Sequence, residues 1–135
     1  MAYQIKRKSR LKETLELVSA DGKDTLTVDI DLDVDEMGGR IMAAQDVTRM
    51  TQTLIAKEPQ SVKAQEAFGS SVLALFGGIF GKENTEKIIA FYDGHYAEML
   101  LDVIPFVNEV IVPAIQKVSA ERKKQLLAAA DAMRR

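Results

Sequence analysis

Aliphatic residues occupy every second position in two runs near the start of the chain, from Leu15 to Leu17 and from Leu26 to Val34. In a β-strand, residues that are two positions apart have their side chains on the same face. Asp21-Gly22 lies between the runs and favours the positive φ angles of a turn. The pattern predicts a β-hairpin with one apolar face, and Tyr3 and Ile5 are candidates for a third strand.

The apolar period lengthens to three and four residues after the hairpin, which is typical of helices. A first helix is predicted from about Arg40, because Gly38-Gly39 weakens an earlier start, and Pro59 ends it and can occupy the first turn of the next helix. Its apolar positions are Ile41, Ala44, Val47, Met50 or Thr51, Leu54 and Ile55. One side of the second helix carries Val62, Phe68, Val72, Leu75, Phe76 and Ile79.

The stretch from Phe76 to Val118 combines glycines, a short helix and a long, almost entirely apolar helix that contains Pro105 and Pro113. Polar residues form only one narrow stripe on that last helix, so it must be covered on several sides, by the rest of the domain, a second copy or a partner. Each proline costs about 3 kcal/mol in an uninterrupted helix. Breaks or kinks are therefore predicted near Ile104 and Val112.

These elements predict an α+β fold, mainly α, in which an N-terminal β-hairpin packs on a bundle of four to five helices. A single domain over residues 1–135 is expected. It divides into a hairpin region (1–35), a helical core (37–118) and a C-terminal helix (119–135). The apolar face of that last helix is thin, so it is predicted either to pack on the domain or to remain detached and mobile.

Composition narrows the classes of function. The net charge is −2 and the isoelectric point is near 5.5, which gives no overall attraction to nucleic acid or anionic membranes. Five basic residues nevertheless fall within the first twelve, namely Lys6, Arg7, Lys8, Arg10 and Lys12. The chain has no cysteine, which excludes disulfides and thiolate metal sites. No window is apolar enough for a transmembrane helix and no secretory signal is evident, so a cytoplasmic location is expected.

Two motifs that would indicate chemistry fail on inspection. A calcium loop starting at Asp29 needs a glycine at its sixth position and a glutamate at its twelfth, and those positions hold Val34 and Arg40. A phosphate loop ending at Gly81-Lys82 needs a glycine five residues before that pair, where Phe76 stands. No metal or cofactor is therefore predicted.

The remaining features of this region have structural interpretations. Gly77-Gly78 and Gly81 are interpreted together as the end of a helix followed by a turn, with Asn84 capping the next helix. His95 is the sole histidine and is predicted at the surface near a helix start, with no nucleophile or metal ligands to accompany it. We expect no enzymatic activity.

The segment from Leu75 to Ile115 resembles the tail assembly chaperones of long-tailed bacteriophages and prophages of Gram-positive hosts. The resemblance lies in the FGKEN turn, the FYDGHY helix junction and the proline positions in IPF and VPAI, with the hairpin preceding them. It implies a non-enzymatic protein that coats the long helical tape measure protein and helps recruit the major tail tube protein. It also implies a homo-oligomer in the host cytoplasm that is absent from the mature virion.

Aromatic residues cluster around the glycine turns and suggest a surface for binding helices or further subunits. The candidate residues are Phe76, Ile79, Phe80, Phe91, Tyr92, Tyr96 and Phe106. Plain core packing is the competing interpretation of each. Two other functions stay open, another small tail structural or connector protein and a nucleic-acid-binding regulator that uses the basic N-terminal arm.

Overall fold

A two-stranded hairpin precedes a helical body in the computed structural model, which describes residues 2–5 and 10–134. The elements are β1 (Leu11–Val18), β2 (Thr25–Leu32), α1 (Val34–Lys57), α2 (Val62–Phe80), α3 (Lys82–Phe91), α4 (Tyr96–Phe106) and α5 (Val112–Met133). A π-helical segment, Val107–Ile111, joins α4 to α5 without a loop. The predicted α+β, mainly helical fold class is confirmed.

The hairpin has the predicted alternation of faces. Its antiparallel register pairs Leu11 with Leu32 and Val18 with Thr25, and its apolar face packs into one hydrophobic core with the helices. Gly22 lies in the connecting turn with a φ of 75°. The predicted third strand is wrong. Residues 2–5 form no strand, and the side chains of Tyr3 and Ile5 are 91% and 82% exposed.

Helix α1 begins at Val34, six residues before the predicted start. The strand ends at Leu32, and the side chain of Asp33 accepts a hydrogen bond from the backbone N–H of Glu36, which satisfies a donor of the first turn. Gly38 is tolerated inside the helix because it allows close packing. A Cβ at that position would lie 3.3 Å from Cγ2 of Ile115.

The junction between α1 and α2 also differs from the prediction. Pro59 lies in the loop after α1, as expected for a helix stop, but the first turn of α2 begins at Val62. Ser61 caps that turn by accepting from the N–H of Ala64 at 3.2 Å. The predicted apolar side of α2 is buried except for Val62, which is 65% exposed because it precedes the packed turns.

The glycines that follow have two different roles. Gly77-Gly78 lies inside α2 and does not end it, and a Cβ on Gly78 would lie 3.3 Å from Cγ1 of Ile41 in α1. Gly81, with a φ of 83°, is the residue that ends α2. Asn84 lies within α3 and donates to the carbonyls of Asp29 and Phe80, so its predicted capping role is wrong.

The long apolar helix continues past Ile104 and Val112 without the predicted breaks, and its irregularity is a π-helical segment directly before Val112. Pro105 is accommodated within α4, and the N–H of Val112 donates to the carbonyl of Val107, five residues earlier. Pro113 has no N–H to donate and its ring crowds the carbonyl four residues before it, so a widened π-turn immediately before it relieves the conflict. The buried residues of this helix are Met99, Leu100, Val103, Val107, Ile111 and Ile115.

Candidate interaction surfaces

Helix α1 carries an apolar line on its solvent side. Val47, Met50 and Leu54 are 49%, 71% and 41% exposed, and exposed Ala43 continues the line one turn earlier. We refer to Ala43, Val47, Met50 and Leu54 as the α1 stripe. Its steps of four, three and four residues are the spacing that coiled coils use for their contacts. The predicted apolar positions of α1 therefore lie on two faces, since Ile41 is fully buried and Val47, Met50 and Leu54 are exposed.

The face that α1 turns toward the body carries polar side chains beside the buried Val34 and Ile41. Gln45 and Thr48 are buried, and Gln45 Nε2 donates to Oδ1 of Asn108 at 2.8 Å. Thr48 Oγ1 donates to the carbonyl of Ser71 at 3.2 Å. A surface helix normally turns its polar residues outward. Because α1 buries these polar side chains and leaves an apolar line exposed, the α1 stripe is a candidate contact surface.

A second exposed apolar area lies on α4. Leu101 is 69% exposed, Ala97 and Pro105 are exposed, and Ile104 is half-buried. We refer to Ala97, Leu101, Ile104 and Pro105 as the α4 face. The steps from Ala97 to Leu101 and Ile104 are again four and three, which places these side chains on one side of the helix. This helix was predicted to need cover on several sides, and the body covers only the opposite one.

The end of α5 extends beyond the body of the protein. Every residue from 123 to 134 is exposed, and we refer to these twelve residues as the C-terminal arm. Leu126, Leu127 and Met133 on the arm are 63%, 60% and 88% exposed. At 1.5 Å per residue the arm is about 18 Å long. Both predicted alternatives for the C-terminal helix therefore apply in part. The first half of α5 packs on the body, and its second half projects from it.

One ion pair fixes the base of the C-terminal arm. Arg122 Nη2 and Nε donate to the two carboxylate oxygens of Asp35 at 2.6 and 3.1 Å, and this contact raises the pKa of Arg122. A two-pronged guanidinium–carboxylate contact fixes direction as well as distance. A groove of about 420 Å³ lies beside it, lined by Val34, Asp35, Gly39, Ser119, Arg122, Lys123, Leu126 and Leu127.

The seven residues predicted to form a contact surface differ in burial. Four are buried in the core: Phe76 (0% exposed), Ile79 (3%), Phe80 (6%) and Tyr92 (9%). The rings of Phe76 and Phe80 pack edge to face with centroids 5.3 Å apart. Phe91, Tyr96 and Phe106 are half-buried against that core. The competing interpretation, core packing, therefore applies to the four buried residues.

The residues that sequence analysis missed are aliphatic rather than aromatic. Val47, Met50 and Leu54 follow a period of 3.5, and that spacing was visible in the sequence. The spacing alone does not separate these residues from Ile41, Ala44 and Ile55, which share the same helical period. Leu101 carried no separate signal, since nearly all of its neighbours in α4 are apolar.

Polar contacts around α4 serve to position it. The hydroxyl of Tyr92 donates to Oδ2 of Asp102 at 3.0 Å, which ties the end of α3 to α4. Burial raises the pKa of Tyr92 well above its usual value, and the neighbouring carboxylate raises it further. His95 lies at the start of α4 as predicted, with Nδ1 3.7 Å from Oε2 of Glu98 and its side chain 72% exposed.

The alternating aspartates have separate structural roles. Asp31 accepts from Arg10 Nε at 2.5 Å, Asp33 caps α1 and Asp35 binds Arg122. Within residues 2–5 and 10–134, no three His, Asp or Glu side chains are grouped as metal ligands would be. Of the basic residues of the predicted nucleic-acid-binding arm, Lys6, Arg7 and Lys8 lie outside the described residues.

Comparisons of the chain with protein-family models, with curated proteins and with solved structures gave no match. In the part of the chain that the structure describes, no helix has both the length and the hydrophobicity needed to cross a membrane.

Proposed function

We propose that this protein is a tail assembly chaperone of a long-tailed phage or prophage of a Gram-positive host. In this proposal it coats the tape measure protein, keeps it soluble, helps recruit tail tube subunits and associates with further copies of itself. It acts in the host cytoplasm and is absent from the mature particle. Support comes from the resemblance over Leu75–Ile115 and from one observation within that segment, the 69% exposure of Leu101 on the α4 face.

The α4 face is suited to an amphipathic helix. Such helices bind through apolar side chains spaced three and four residues apart, which is the spacing of Ala97, Leu101 and Ile104. Glu98 and Asp102 are exposed on the same helix and add negative charge. A tape measure segment with an apolar line and neighbouring lysine or arginine residues therefore matches this face in both polarity and charge.

Co-expression with the tape measure protein tests the proposal. Leu101→Asp places a charge at the centre of the α4 face, so we expect the tape measure protein to lose its solubility and no longer co-purify. Val62→Asp is the matched control, because Val62 has nearly the same exposure, 65%, on a different helix. Both variants should keep the helical circular dichroism spectrum, since neither side chain is in the core. Unchanged co-purification with Leu101→Asp would contradict the proposed site.

Two further observations bear on the function as a whole. Mass spectrometry of purified phage particles should find the tail tube protein and not this chain, whereas its recovery in stoichiometric amounts would indicate a structural or connector protein. A tape measure gene immediately downstream of the gene for this chain is also expected.

A further inference from the structure

The α1 stripe and the C-terminal arm match each other in spacing. Leu126, Ala130 and Met133 on the arm are separated by four and three residues, as Val47, Met50 and Leu54 are separated by three and four. Side chains with this spacing can interlock when two helices lie side by side. Both lines consist of exposed residues. The chain therefore carries two complementary apolar surfaces that its own fold leaves uncovered.

The arm cannot reach the stripe of its own chain. Helix α5 passes α1 with Ile115 beside Gly38 and Arg122 bound to Asp35, so it runs toward the start of α1. The stripe lies further along α1 in the opposite direction, from Ala43 to Leu54. A continuous helix cannot reverse without breaking its hydrogen bonds. Contact between the two surfaces requires two copies of the chain.

Charge favours contact between the arm of one copy and the body of another. Residues 123–135 contain four basic residues and one acidic residue, a net +3. The rest of the chain, residues 1–122, contains fourteen basic and nineteen acidic residues, a net −5. A positive arm is attracted to the negative body of another copy, and charge of this kind mainly accelerates and orients association.

We infer that the C-terminal arm of one copy packs along the α1 stripe of the next. This rests on the self-association in the proposed function and names the surfaces that carry it. The two surfaces differ, so the contact is head to tail, and an open assembly keeps one free arm and one free stripe at its ends. Contacts of this type build rings or open helical chains rather than closed two-fold dimers.

The size of the contact predicts its strength. A few aliphatic side chains on each helix bury less than the roughly 1,000 Å² that a stable independent interface requires. Association should therefore be weak for a single pair and depend on protein concentration. It becomes strong when many copies are held along one long partner, because each added copy then binds at a high effective concentration.

Cysteine cross-linking tests the pairing, since the natural chain has no cysteine. Met50→Cys and Ala130→Cys are made separately, and both positions are exposed, so the fold should be unaffected. On mild oxidation, a mixture of the two variants should form disulfide-linked dimers in an excess on the order of tenfold over either variant alone. A chain with both cysteines should form a ladder of multimers. Val62→Cys mixed with Ala130→Cys measures cross-linking by random collision.

Three other cross-linking results would overturn the inference. Efficient dimers of Met50→Cys alone would show that α1 pairs with itself, and efficient dimers of Ala130→Cys alone would show the same for the arm. Cross-linking at the level of the Val62→Cys control, with light scattering showing monomers at all concentrations, would exclude the contact. If the tape measure protein still co-purifies in that case, only the assembly inference fails. A mixed cross-link without tape measure binding would instead contradict the chaperone function alone.

Discussion

Helices α1 and α2 pack side by side yet differ in how they divide their apolar residues between core and surface: α1 buries Ile41 but exposes a second apolar line. Helix α2 buries its large side chains, including Leu75 and Phe76 at 0% exposure. Helix α1 buries Gln45 and Thr48 and leaves Met50 71% exposed. The two neighbouring helices have similar apolar spacing in the sequence, but different parts of their surfaces are covered by the rest of the protein.

The difference follows from the number of neighbours. Helix α2 packs against α1, α3, α4 and β2, so side chains on most of its circumference are covered. Helix α1 packs mainly against α2 and α5, which leaves one side open. An apolar line on that open side contributes nothing to the fold of a single chain. We take this as the reason to assign the α1 stripe to contacts between copies.

The largest expected difference between the two helices is in the loss of stability when one of their side chains is truncated to alanine. Phe76→Ala in α2 should lower the free energy of unfolding by about 3–5 kcal/mol, because it leaves a cavity in the core. Met50→Ala in α1 should change it by no more than about 0.5 kcal/mol, as for an exposed site. Urea denaturation at a concentration where the protein is monomeric measures both. Similar losses for the two variants would mean that the α1 stripe is buried within one chain.

Two adjacent glycines test the packed and open sides of α1. Gly38→Val should destabilise the protein by about 1–3 kcal/mol, because its Cβ would lie 3.3 Å from Ile115 Cγ2 and its methyl groups would require further space. Gly39 has no atom within 4 Å of a Cβ, so Gly39→Ala should stabilise the helix by up to about 1 kcal/mol. Thermal unfolding should shift in opposite directions. A shift in the same direction would contradict the assigned faces.

The N-terminal caps should affect the two helices equally despite their different burial. Asp33→Ala and Ser61→Ala each remove a 3.2 Å hydrogen bond to a first-turn N–H, and each should cost about 1 kcal/mol. Asp33→Ser, which retains a capping oxygen, serves as the control and should recover most of the loss. A negligible effect in α1 alone would show that its first turn is held by the Arg122–Asp35 pair instead.

The smallest effect is expected on the polar inner face of α1. Gln45→Leu removes one hydrogen bond to Asn108, whose exposed side chain can bind water instead, and adds buried apolar surface. These contributions oppose each other, so the free energy of unfolding should change by less than about 1 kcal/mol. A loss of several kcal/mol, measured by denaturation, would show that this bond is essential for holding α1 on the π-helical segment.

Local chemistry made some elements predictable. Alternation of aliphatic residues and aspartates was enough for β2, since a shift of one residue would bury every aspartate. Gly81 was recognisable near a helix end, because glycine readily adopts a positive φ. The start of α1 was missed because a favourable cap at Asp33 outweighs the low helix propensity of Gly38-Gly39.

The candidate surfaces were harder to predict than the elements. A helical period shows that a line of side chains shares one face, but it does not show which of two lines faces the body. On α1 the line through Ile41 and the line through Val47 are both apolar enough to be core. Aromatic residues such as Phe76 and Phe80 drew attention because they are large, and large side chains are the first to be buried.

The sequence by itself determined the hairpin, its register and the helical character of the remainder, because these depend on the periodicity and conformational preferences of neighbouring residues. Tertiary structure decided which face of α1 is exposed, where glycine allows close approach, and how α4 continues through a π-turn into α5. Those outcomes depend on which elements meet in space. The uncovered α1 stripe and the projecting C-terminal arm belong to this second group, since exposure depends on what lies beside a residue and not on the residue alone.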